Sequence, residues 1–151
     1  MAKLVSGKLR LAIIGAGGIS GAHARGIVAH KDKIDCVALC DVSEANLKSR
    51  EEQLGGVKYK FNDWRKMLAE IGDQIDAVDI CLPHHLHAPC IMDAAAAGKH
   101  ILCEKPMCIN LTEADQIAAA VEKSGITYMS AHNQLFMPVV REAKKMIDAG
   151  A

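Results

Sequence analysis

The chain has 151 residues, 50% apolar and 24% charged, with 18 basic residues against 18 acidic ones and no net charge. That length suits one domain around one core, and no basic block or tail points to nucleic acid or a membrane surface. The longest apolar runs are strand-sized rather than bilayer-sized, and "MAKLVSGKLR" at the start lacks the apolar stretch and cleavage site of a signal peptide, so a cytoplasmic protein is expected.

In chain order, strands alternate with helices. "KLRLAIIG" reads as a strand ending at glycine, and Ile19, Ala22, His23, Gly26 and Ile27 then follow helical spacing. "IDCVALCD" is a second strand, followed by a helix that Ser43 can cap, with Glu44 in its first turn. "KYKF" is a short third strand. Trp64, Met67, Leu68 and Ile71 form one stripe of a helix for which Asn62 or Asp63 is the cap. "DAVDICLP" is the fourth strand, with a helix following Pro89 and ending at Gly98. "KHILC" is the fifth. Thr112 and Asp115 resemble a capping box for the next helix, with Ala114, Ile117, Ala118 and Val121 inward. "ITYMSA" is the sixth strand, and residues from Met137 to Ala149 look helical, with Val140, Ala143, Met146 and Ile147 on one face.

Each parallel crossover needs a helix. The alternation therefore predicts an α/β fold, a doubly wound, mostly parallel sheet of Rossmann type with helices on both faces and strand order 3-2-1-4-5-6. Aromatic residues make up only 3%, so the core must come from Ile, Leu, Val, Ala and Met. Six cysteines in a mid-sized chain, several inside strands, read as reduced thiols rather than a disulfide framework.

Three stretches carry candidate chemistry. The first strand runs into "GAGGISG". Gly15 permits a tight turn, Gly17 lets backbone approach a pyrophosphate, Gly18 lies with them between strand and helix, and the N-terminus of the helix that follows, near Ile19, offers N–H groups to the anion. Ser20 takes the third fingerprint position, small enough for close helix–strand packing and with a hydroxyl in reach of a phosphate. The second stretch ends at Asp41, 26 positions after Gly15 and at the end of a strand. A carboxylate there accepts hydrogen bonds from ribose hydroxyls and repels a 2′-phosphate. With Val42 and Ser43 following, and no arginine, NAD is favoured over NADP. The alternative is Asp41 as a plain loop or capping acid.

The third stretch, "CLPHHLHAPC", gathers Cys81, His84, His85, His87 and Cys90. It invites a metal, but it has no CxxC or HxxxH pair, so no metal site is assigned. Its place after the fourth strand, where the strand order reverses, favours a ligand loop in which His84 or His87 lines the nicotinamide side of the cofactor and His85 is solvated. "ILCEKPMC" leaves three readings open for Lys105: a charged turn, half of a metal site, or a catalytic lysine.

Taken together, "AIIGAGGIS", "ALCDVS", "DAVDICLPHHLH", "AAAAGKHILCEKPM" and "AHNQLFMPVVREAKKMIDAGA" resemble the N-terminal dinucleotide-binding domain of the Gfo/Idh/MocA oxidoreductases, in order and spacing. The resemblance implies that Lys105 is the active-site lysine, that Glu104 and Asn133 lie near the nicotinamide, that Pro106 shapes the turn, often through a cis bond, and that Pro83 and His87 match a Thr-Pro-Asn-x-x-His loop, which adds Leu82 and Pro83 to the cofactor-binding candidates. Leu82 and His84 depart from that loop, and Gln134 and Leu135 replace residues that are often arginine or aromatic. The family carries a second, substrate-binding domain after the helix at which this chain stops. Residues 1–151 are therefore expected to be the dinucleotide-binding domain alone, without the substrate domain. Two functions stay open: the cofactor half of an oxidoreductase for sugars or polyols, expected to be inactive alone, or a stand-alone NAD-binding module. The apolar face near Val139 to Ile147 leads to the expectation of a homo-oligomer.

Overall fold

A computed structural model describes residues 7–150. The first six residues of the N-terminal stretch read for a targeting signal, and Ala151, lie outside them. The elements are β1 (Leu9–Ile14), α1 (Ser20–Ala29), β2 (Ile34–Cys40), α2 (Glu44–Leu54), β3 (Tyr59–Phe61), α3 (Trp64–Ile71), β4 (Ala77–Ile80), α4 (His87–Ala96), β5 (His100–Cys103), α5 (Leu111–Ser124), β6 (Tyr128–Ser130) and α6 (Pro138–Asp148). All five strand pairings are parallel, in the order β3-β2-β1-β4-β5-β6. This is the predicted Rossmann arrangement, with its reversal between β1 and β4.

Strand alternation divides the core in two. Leu11, Ile13, Leu39 and Ala77 pack with Ile27 of α1 and Leu47 of α2 on one face. Ala12, Ile14, Val78, Ile80 and Ile101 pack with Met67, Ile91 and Ile117 of α3, α4 and α5 on the other. Each fully buried Ile or Leu side chain contributes ~1.5–3 kcal/mol, so the shortage of aromatics leaves no gap in the driving force. No helix among the described residues is long and apolar enough to cross a membrane.

The local signals were partly displaced. Ser43 and Asp63 do cap α2 and α3, each accepting a backbone N–H. The cap of α5, however, is Asn110, whose side chain accepts from Glu113 N at 2.8 Å, while Glu113 reaches back to Ile109 N at 3.1 Å. The box thus lies two residues before Thr112 and Asp115, because Asn110 takes the extended conformation a cap requires. Ala118 is exposed, and Ala120 packs on the core instead. Helix α4 starts at His87, ahead of Pro89. In α1 the small residues Ser20, Gly21 and Ala24 face inward with Ile27, whereas Ile19, Ala22 and Gly26 are exposed.

Candidate functional site

The C-terminal ends of the strands carry two hollows, one on each side of the glycine loop. A cleft of about 430 Å3 is lined by Gly15, Gly17, Asp41, Asn46, Leu82 and Pro83. A groove of about 320 Å3 is lined by Ile19, Ala22, His23, Glu104, His132 and Asn133. Between them lies the N-terminus of α1. A further hollow of about 600 Å3, lined by Lys8, Ile27, Asp35 and Gly55 among others, lies away from these loops.

Gly15 has φ +95°, and a Cβ there would come within 2.4 Å of the Cys81 carbonyl oxygen. Only glycine allows β1 to turn this close to the end of β4. Gly17 and Gly18 face open space, and a Cβ on either would meet nothing within 4 Å. The N-cap of α1, Ile19, makes no side-chain cap bond. A bare glycine backbone leading into an uncapped helix N-terminus fits an incoming pyrophosphate.

Asp41 ties this loop to the end of β2. One carboxylate oxygen accepts the Ala16 N–H at 2.7 Å; the other accepts Ser43 N–H at 2.8 Å and the Asn46 amide at 3.3 Å. A carboxylate offers about four acceptor sites, so one remains for a ribose hydroxyl, fewer than the pair expected. Val42 beside it is exposed and offers no positive charge.

Three residues expected to face a ligand are placed otherwise. Ser20 is fully buried, and its hydroxyl donates to Gly17 O at 2.7 Å and accepts Arg50 Nε at 3.0 Å. It anchors the loop from beneath, and its hydroxyl has no path to a phosphate. His87 is also fully buried, with Nδ1 2.7 Å from Pro106 O and Nε2 2.8 Å from Leu82 O. It fastens two loops to each other instead of facing a ligand. His84 is exposed and lines neither hollow.

The turn after β5 holds Glu104, half-buried and lining the second groove, and Lys105, exposed and outside that lining, followed by a cis Lys105–Pro106 bond. Among the described residues the Lys105 side chain makes no hydrogen bond; its backbone N–H donates to Glu104 Oε2 at 3.0 Å. The structure thus brings Ile19, Glu104 and Asn133 into one groove, and Gly15, Gly17, Asp41, Leu82 and Pro83 into the other hollow.

Three residues escaped the sequence reading as functional. Arg50 of α2 is buried and donates from Nη2 to Gly17 O at 3.0 Å and Ala16 O at 3.3 Å. Nothing in "KSREEQ" distinguishes it from its solvated neighbours. Asp79 is 1% exposed in β4, and His23 contacts it. An acid inside an otherwise apolar strand was the available signal, since an acid is almost never fully buried unpaired. Among the described residues, His23, Asp79 and Cys81 are the one trio with potential ligand atoms within 4.8 Å of each other. Both His23 nitrogens already face carboxylates, and burial pushes the Cys81 thiol up to about 11, so the trio reads as a hydrogen-bonded network. It shares only Cys81 with the loop cluster that first invited a metal. All six cysteines are free, and burial pushes Cys36, Cys40 and Cys103 up to about 12.

The family profile described as "Oxidoreductase family, NAD-binding Rossmann fold" matches residues 9–132. The chain belongs to the Gfo/Idh/MocA oxidoreductase family. An uncharacterised oxidoreductase of Bacillus subtilis, YrbE, is 35% identical over 91% of this chain and 39% of its own length. Levoglucosan dehydrogenase of Pseudarthrobacter phenanthrenivorans is 38% identical over 73% of this chain and 28% of its own length. The structure of scyllo-inositol dehydrogenase from Lactobacillus casei, with bound NAD(H) and scyllo-inositol, superposes with a TM-score of 0.86 at 26% identity, over 95% of this chain and 42% of that one. The chain therefore spans about two fifths or less of the length of these relatives. It carries the NAD-binding Rossmann domain of the family.

Proposed function

We propose that this chain is the cofactor-holding domain of an NAD-dependent oxidoreductase that moves hydride between a sugar or polyol carbon and nicotinamide. The observation that carries the choice of NAD is Asp41, a carboxylate fixed by Ala16 N–H at the mouth of the adenosine-side cleft. One open acceptor site suits a ribose hydroxyl, and the fixed negative charge opposes a 2′-phosphate.

The remaining roles follow from position. Gly17 and Gly18 admit the pyrophosphate to the N-terminus of α1, and the second groove takes the nicotinamide ribose and ring, with Ile19 and Asn133 on its walls. When bound, the dinucleotide supplies the hydride acceptor or donor. Lys105, exposed in the turn just after Glu104, supplies an ammonium to the hydroxyl oxygen that gains negative charge during the transfer. The dinucleotide-binding unit covers the described chain, and the substrates of the relatives make a polyhydroxylated ring the first class to test.

Calorimetric titration with NADH and NADPH tests the reading. NADH is expected to bind roughly tenfold or more tightly than NADPH, from the repulsion of a phosphate by a nearby carboxylate, and Asp41→Ser is expected to narrow the gap. Equal affinities would overturn the preference for NAD. A panel of inositols and anhydrosugars, followed by nicotinamide absorbance, then tells an oxidoreductase from a module that only holds the cofactor.

A further inference from the structure

The second groove has a buried charge layer beneath it. Asp79 sits in β4 between Val78 and Ile80, with almost no exposure. A buried carboxylate needs a hydrogen-bonded partner. His23 of α1 supplies it, with Nδ1 2.8 Å from Oδ2 and 3.0 Å from Oδ1. A ring that served only Asp79 would leave its other nitrogen to water. Instead Nε2 lies 3.0 Å from Glu104 Oε1, and the second oxygen of Glu104 accepts the Lys105 backbone N–H at 3.0 Å. One line of bonds therefore runs from the core of β4, through α1, to the peptide that carries Lys105.

We infer that His23 is a positioning residue, holding the Glu104 carboxylate and the Glu104–Lys105 peptide in place along the groove assigned to nicotinamide. The inference rests on that assignment. To donate to two carboxylates the ring must be protonated on both nitrogens. Its hydrogen bond to Asp79 pushes His23 up to about 11, so it remains an imidazolium at neutral pH. The other titratable groups beside it do not compete. The Cys81 thiol, 3.7 Å from Asp79 Oδ1, is held protonated by burial, and His132 faces the groove from beyond β6. Without the ring, the buried Asp79 loses its partner and the Glu104 carboxylate loses the bond that holds it. Glu104, in a turn, is the freer of the two.

The test compares NADH with ADP-ribose, which has the same adenosine and pyrophosphate but no nicotinamide. Binding of each is measured by calorimetry for the unmodified chain, His23→Leu and Asp79→Asn. Both variants are expected to lose about tenfold in NADH affinity, the worth of one charge-assisted hydrogen bond, with ADP-ribose affinity within about twofold of the unmodified chain. Equal losses for both ligands, or no loss for either, would overturn the inference. Histidine-selective 15N NMR of the unmodified chain at about pH 8.5, some two units above a free imidazole, makes the check independent of variant folding. A His23 ring protonated on both nitrogens supports the bridge, and a neutral ring overturns it. An unmodified chain that bound neither NADH nor ADP-ribose would bring down the dinucleotide reading itself, and this inference with it.

Discussion

His23 makes stability fall as pH rises, because its folded pKa of about 11 lies well above the ordinary value of 6.5. Between those values the native state holds a proton that the unfolded chain has released, so the unfolding free energy declines with pH. The contribution is complete below about 6.5 and gone above about 11. The difference in Tm between the unmodified chain and His23→Gln is therefore expected to shrink steadily across that interval, as measured by thermal melts in buffers of matched ionic strength. A constant or widening difference would contradict the charged bridge. At this scale the sequence was readable where a residue's role depends on chain position alone. Asp41 ends a strand and Gly15 begins a turn, whatever lies around them. Ser20 and His87 misled because their type suggested a ligand contact, while their hydrogen bonds are spent on Gly17, Arg50, Leu82 and Pro106. Those partners come from other elements, and no local pattern announces them.

Between elements, the decisive contact is α2 on the glycine loop. Arg50 donates from Nε to Ser20 and from Nη2 to the Ala16 and Gly17 carbonyls, and it also contacts Gln53. A Cβ on Gly21 would approach its Nη1 within 2.7 Å, so a larger residue there would push the guanidinium aside. Arg50→Met removes these donors and leaves two loop carbonyls poorly satisfied. A loss of about 2 kcal/mol is expected in urea unfolding, in the range for hydrogen bonds to a charged group, together with weaker NADH binding. Arg50→Lys should recover only part of either, since an ammonium lacks the planar fork. An unchanged urea midpoint in Arg50→Met would dismiss the brace. Helix starts were less readable than helices themselves. Residues 110–115 contain two overlapping cap patterns, Asn110 with Glu113 and Thr112 with Asp115, and only the backbone conformation of Asn110 decides between them.

Over the whole molecule, topology was the most readable feature. Six strands separated by helices leave few right-handed parallel arrangements, and the observed order is the expected one. The outer surface of the last helix was harder to place, because amphipathic spacing reports that a face is apolar and not what covers it. Helix α6 makes its main contact with the short 3-10 turn over Asn133–Phe136, and no residue of α6 is buried. Val139, Val140, Met146 and Ile147 are exposed along it, with Leu135, Phe136 and Met137 just before it. Contiguous apolar surface of this kind drives association in water. The chain is therefore expected to elute from size-exclusion chromatography, with light scattering, as a dimer or larger species whose proportion grows with concentration. Replacing Val139 and Ile147 by Glu places charge on that face and should return the monomer, with a Tm matching that of the unmodified chain diluted into its monomeric range, because neither side chain contributes to the core. An unmodified chain that stays monomeric at high concentration would show that this face does not pair with a second copy.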